Sequence, residues 1–84
     1  MNQVRAAIVR HLALNPDGVT SGQITRELSA TYQTIFRHLQ DLEEQGIVAS
    51  DAGEHRHGQR VIYTLNKAAR DKALADYAEY LDGK

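Results

Sequence analysis

The sequence predicts an α+β fold, mostly helical, with three helices, a strand hairpin and a closing helix. Three observations predict it. Residues 31–48 carry apolar side chains at the helical period. Thr20-Ser21-Gly22-Gln23 places Gln three residues after Thr, the signature of a capping box, and so opens a short helix just before that stretch. Arg60-Val61-Ile62-Tyr63-Thr64-Leu65 is rich in β-branched and aromatic residues and reads as a strand.

Taken in order, residues 2–14 form the first expected helix. Val4, Ile8 and Leu12 share a face, and Ala7 and Leu14 widen it. Val9, Ala6 and Ala13 lie elsewhere on the wheel, so more than half the circumference is apolar. A helix of that kind contacts two things, here its own core and a partner subunit. Asn15-Pro16-Asp17-Gly18 ends it with turn chemistry. Val19 begins a very short strand, and a second helix spans 21–28 with Ile24 and Leu28 inward. Ser29-Ala30 breaks the chain before the third helix, 31–45. Two short helices so joined form a helix-turn-helix.

The third helix has two characters. Ile35, Leu39 and Leu42 fall on one narrow face, flanked by His38 and Tyr32. Gln33, Arg37, Gln40 and Glu44 lie on the opposite line, with Phe36 on one shoulder and Thr34 on the other. Thr31 is placed to cap the first turn, and Gly46 to supply the left-handed residue past the last one. Arg and Gln are side chains that read guanine and adenine edges through paired hydrogen bonds. The plain alternative is a solvated face with Arg37 paired to Asp41 one turn on, worth about 0.3–0.5 kcal/mol. Glu44 would repel phosphate and is not a contact.

A short strand from Ile47 to Ser50, a polar Gly-bearing stretch and the 60–65 strand make a hairpin, or wing, spanning 47–65. Asn66 caps a last helix, 67–81. Leu74, Tyr77, Ala78 and Leu81 form one stripe on it, and Ala69, Ala73 and Tyr80 a second. Small residues on a second stripe allow close helix approach, which suits a dimer. The expected dimer surface is Val4, Ala7 and Ile8 from the first helix with Ala69, Ala73, Leu74, Tyr77, Tyr80 and Leu81 from the last.

Composition narrows the classes. Eighty-four residues are expected to make one winged-helix domain, 1–84, with too little chain for two cores. A chain of this size buries only about 60–65% of its unfolded surface, so association is a source of stability. Apolar residues at 42% and charged residues at 25% are ordinary for a globular chain. The absence of cysteine removes disulfides and thiolate metal sites. No apolar run approaches 18 residues and no signal peptide opens the chain, so a cytoplasmic location is expected. The net charge of −1 means that nucleic-acid binding must rest on charge placed locally, with weak affinity for random DNA. His55 and His57 in the wing are too few for a structural zinc even with Glu54, and phosphate contact or solvation is the better reading. Thr20 and Ser21 cap the second helix, whose N-terminus can also meet a phosphate. No nucleophile, base and orienting acid converge in the pattern, so an enzyme is not expected.

The order of elements, and Gln33-Thr34-Ile35-Phe36-Arg37-His38-Leu39-Gln40-Asp41-Leu42-Glu43-Glu44-Gln45-Gly46-Ile47-Val48 above all, resembles the winged-helix transcription regulators of the ArsR type. The Arg-aliphatic-aliphatic-Tyr-x-Leu run at 60–65 resembles that family's returning wing strand. The resemblance implies a homodimer paired through the first and last helices, each recognition helix entering a major groove of a near-palindromic operator. It implies base reading from Tyr32, Gln33, Phe36 and Arg37, and backbone or minor-groove contacts from Arg56 and Arg60. With no Cys in the chain and no His in the last helix, the metal-sensing role of many such proteins does not carry over, and neither metal, cofactor nor small-molecule ligand is expected. Phe36 stands where a small polar residue is usual. The expected function is a dimeric repressor whose DNA contacts are Thr20, Ser21, Thr31, Tyr32, Gln33, Thr34, Phe36, Arg37, Gln40, His55, Arg56, His57 and Arg60. The alternative is a winged helix used as a protein–protein interaction module, with Phe36 at its centre.

Overall fold

The computed structural model describes residues 3–51 and 61–84. Their order is α1 (Gln3–Leu14), β1 (Val19–Thr20), α2 (Ser21–Leu28), α3 (Tyr32–Glu44), β2 (Val48–Ser50), β3 (Ile62–Leu65) and α4 (Lys67–Leu81). This is the winged helix-turn-helix arrangement that the element order predicts.

α2, α3 and α4 each start where a cap dictates. The Thr20 hydroxyl accepts from the Gln23 amide at 3.2 Å, while the Gln23 side-chain oxygen accepts from the Thr20 amide at 2.8 Å. That reciprocal pair satisfies two amides with no helical partner. Thr31 accepts from the Thr34 amide at 3.3 Å and Asn66 from the Ala69 amide at 3.1 Å, opening α3 and α4 in the same way. Gly46, at φ +77°, ends α3: its amide donates to Glu43 and that of Ile47 to Leu42, the paired bonds of a Schellman motif. Between α2 and α3 the left-handed position is filled by Ser29, φ 51°, a conformation that favours glycine.

The sheet differs from the two-stranded wing expected. It has three strands in the order β1-β3-β2, all antiparallel, with Val19 opposite Tyr63 and Val48 opposite Leu65. Two residues are too few to show alternation, so β1 becomes a strand only because β3 offers it an edge. The approach is close: a Cβ added at Gly18, φ +100°, would sink into Ile62 Cγ2. At the ends of the β2–β3 pair, Asp51 accepts from the Ile62 amide at 2.9 Å and the Asn66 amide donates to Ile47 at 2.8 Å.

Ile8, Leu12, Ile24, Ile35, Leu39, Leu42 and Val48 are fully buried at the centre, with Val19, Ile47 and Tyr63 around them. Ile8 was expected at a dimer surface. Instead, α1 is rotated so that Ile8 and Leu12 point into the core with no accessible surface, and Ile8 has nothing to offer a partner. Val4 and Ala73 pack on the edge of the same core. By contrast α4 buries no residue fully. Only Ala69, Arg70 and Ala73 are partly covered on it, while Leu74, Tyr77, Tyr80 and Leu81 are between 51% and 74% exposed. Among the described residues no helix is long and apolar enough to cross a membrane.

Leu39 touches the core from the middle of α3 and is wholly buried. Leu39→Ala should lower stability by about 2–5 kcal/mol, read from urea denaturation midpoints.

Candidate nucleic-acid interface

The inner stripe of α3 fixes which residues it turns outward. With Ile35, Leu39 and Leu42 buried, Gln33, Arg37, Gln40 and Glu44 are all exposed along the far side. Thr34 and Phe36 are half-buried on its shoulders. Thr31 is exposed at the helix start, although its hydroxyl is engaged with Thr34 at 2.8 Å. Tyr32 is 52% exposed and stacks on Phe36 one turn on, with ring centroids 5.8 Å apart and planes 15° from parallel. Thr20 is nearly buried, its hydroxyl occupied by the capping box, whereas Ser21 is partly open. His55, Arg56, His57 and Arg60 lie outside the described residues.

Three hydrogen bonds hold α3 in this orientation, and none is legible from local sequence. On one side Arg5 of α1 donates to Asp41 Oδ2 at 2.8 Å and to His38 Nδ1 at 3.2 Å. On the other side the Ser50 hydroxyl of β2 donates to Glu43 at 2.8 Å. The Arg37–Asp41 pair weighed from sequence does not form, because Asp41 is taken by a residue 36 positions away. Arg37 is left with its guanidinium in solvent and no described residue bonded to it. A freely hydrated Arg with two exposed Gln side chains on one line of a helix can form paired hydrogen bonds to base edges.

His38 sits beside that line and is 8% exposed. Its Nδ1 accepts from Arg5, so the ring is neutral with its proton on Nε2. Burial lowers its pKa below 6.5, the Arg5 and Arg37 cations lower it further, and Asp41 opposes them. Protonation would remove the acceptor that Arg5 uses and set two cations together.

A model of the MarR family matches residues 1–57, and the chain belongs to that family of winged-helix transcription regulators. The finer ArsR-type assignment, drawn from the motif at 33–48, is not carried by this match. No curated protein is significantly similar to the chain in sequence. Solved structures share its fold. Lactococcus lactis ZitR in complex with DNA superposes with a TM-score of 0.69 at 19% identity, over 100% of this chain and 62% of that one. A MarR family transcription regulator gives 0.66 at 25% identity, over 100% and 59%. The Zalpha domain of Cyprinid herpesvirus 3 ORF112, bound to Z-DNA, gives 0.59 at 23% identity, over 76% of this chain and 93% of that domain. The chain thus spans about three fifths of the length of the first two.

Because the unfolded chain binds a proton on His38 at a higher pH than the folded one, acid favours unfolding. The stability due to neutral His38 should be full above about pH 6.5 and decline as the pH falls below it. It should level off once the folded-state imidazole is itself protonated. Urea denaturation at stepped pH should show this slope in the wild type and lose it in His38→Gln, whose amide can still accept from Arg5.

Proposed function

We propose that the protein is a sequence-specific double-stranded DNA-binding regulator, acting as a homodimeric repressor. The observation that carries this reading is the outward line of α3, where Gln33, Arg37 and Gln40 are exposed together and Arg37 has no described partner. Membership of the MarR family and a fold shared with two DNA-bound proteins support it. In this reading Gln33, Phe36 and Arg37 enter the major groove, with Tyr32, Thr34 and Gln40 at the margins and Thr31, Thr20 and Ser21 near the backbone. His55, Arg56, His57 and Arg60 of the wing meet flanking phosphates or the minor groove. The low basicity of the chain gives weak general affinity, so discrimination falls on the few groove contacts.

The homodimer is proposed on the exposure of α4. Leu74, Tyr77, Tyr80 and Leu81 present large apolar side chains to solvent on a helix that no described residue covers fully. Pairing them about a two-fold axis, with Val4, Ala7, Ala69 and Ala73 at the margins, buries that surface. It also gives the terminal-helix pairing that the ArsR-type resemblance implies. Two recognition helices so related read a near-palindromic operator with half-sites about one turn apart, ~34 Å. With no Cys in the chain and no His in α4, no metal-sensing role is proposed. The Tyr32–Phe36 stack, with Tyr32 exposed and Phe36 half-buried, favours one second reading, a protein-docking surface. Salt separates the two. A DNA complex loses orders of magnitude in affinity between about 50 and 200 mM salt, and an aromatic-centred protein contact does not.

Selection from random duplexes at about 150 mM salt should enrich a palindrome with half-sites one turn apart. Arg37→Ala should weaken binding to that palindrome by about 1–3 kcal/mol and relax one base pair per half-site. Equal binding by this variant would overturn the placement of α3. Tyr77→Glu should leave the fold intact but sediment as a monomer, and should lose the full palindrome.

A further inference from the structure

We propose that the stacked Tyr32–Phe36 pair reads the C5-methyl group of a pyrimidine, and so sets one position of the operator half-site. The inference rests on the DNA-binding reading above and adds the chemistry of one contact to it. Phe36 lies one residue before Arg37, on the shoulder of the outward line of α3 away from Thr34. A phenyl ring there can form no hydrogen bond to a base edge. The apolar group that base edges present in the major groove is the methyl on C5, carried by thymine and equally by 5-methylcytosine.

Three features make Phe36 a reader of that group rather than a spectator. Its ring is held by Tyr32, at 5.8 Å and 15° from parallel, so little rotamer freedom remains to be lost on binding. Phe36 also borders an open recess of about 380 Å³ whose other walls are Gln40, Glu43 and Glu44. The two carboxylates disfavour a phosphate beside the ring, so the backbone does not compete with a base edge for its exposed face. Finally, Gln40 beside the ring carries both a carbonyl and an amino group. It can therefore face either the O4 acceptor next to the methyl of thymine or the N4 amino group next to that of 5-methylcytosine.

The test uses the full chain and the operator obtained by selection, with dissociation constants from fluorescence anisotropy at fixed salt. Each thymine of a half-site is replaced in turn by deoxyuridine, which removes the methyl group alone. Each cytosine is replaced in turn by 5-methylcytosine, which adds it. For the wild type, one position per half-site should respond, by about four-fold for one methyl and roughly fifteen-fold when both half-sites are changed. Weakening on a thymine-to-uracil change identifies thymine as the natural target, and tightening on cytosine methylation identifies 5-methylcytosine. In Phe36→Ala the response at that position should vanish, while an Arg37-dependent guanine preference persists. Specific binding that ignores every methyl change would overturn the inference and leave the DNA-binding reading standing, as would a methyl response that survives in Phe36→Ala. A folded dimer that enriches no sequence would overturn both.

Discussion

Everything the outer face of α3 presents depends on the burial of its inner stripe. Ile35, Leu39 and Leu42 are taken fully out of water among Ile8, Leu12, Ile24 and Val48, and that contact fixes the rotation of the helix about its own axis. A half-turn would expose all three of these residues and carry Gln33, Arg37 and Gln40 inward, at a cost set by both the apolar and the polar groups. Rotation is therefore decided by the core. The chemistry of the outer line follows from whichever residues the sequence places opposite it.

Rotation alone leaves the tilt and height of the helix open, and polar contacts at its two edges complete the constraint. Arg5 joins His38 and Asp41 on the α1 side, and Ser50 joins Glu43 on the sheet side. A partly exposed ion pair adds modest energy. Its structural consequence is larger than its stability: Arg5 takes Asp41, and Arg37 has no described residue bonded to it. The outward line of α3 is thus set partly by a residue on a different helix. Neutral His38 belongs to the same contact, which couples the mooring of α3 to the protonation of one imidazole.

α4 is partly covered only along its first turns, at Ala69, Arg70 and Ala73, and is otherwise open. Ala73 packs against the core edge, but beyond it Tyr77, Tyr80 and Leu81 meet solvent. The proposed dimer would cover this surface with a second copy of the chain. The proposed DNA-contacting and associating faces are carried by different helices, while α1 sends Ile8 and Leu12 into the core and moors α3 through Arg5.

The sequence by itself determined the helix starts and the inward stripe of α3, because caps and the 3.6-residue period are local properties. Thr20, Thr31, Asn66 and Gly46 each act on amides or carbonyls within a few residues of themselves. It also determined that Gln33 and Arg37 share a line, whatever that line meets. Only the tertiary structure decided that the short strand at Val19 joins the hairpin, the place of Ile8 and the partner of Asp41. Val19–Thr20 is too short to name its partner, and pairs where β3 lies beside it. Ile8 satisfies the apolar pattern of a core face and of an interface equally, and only packing chooses between them. Arg5 reaches Asp41 across 36 positions because folding brings α1 against α3, and no local spacing encodes that distance.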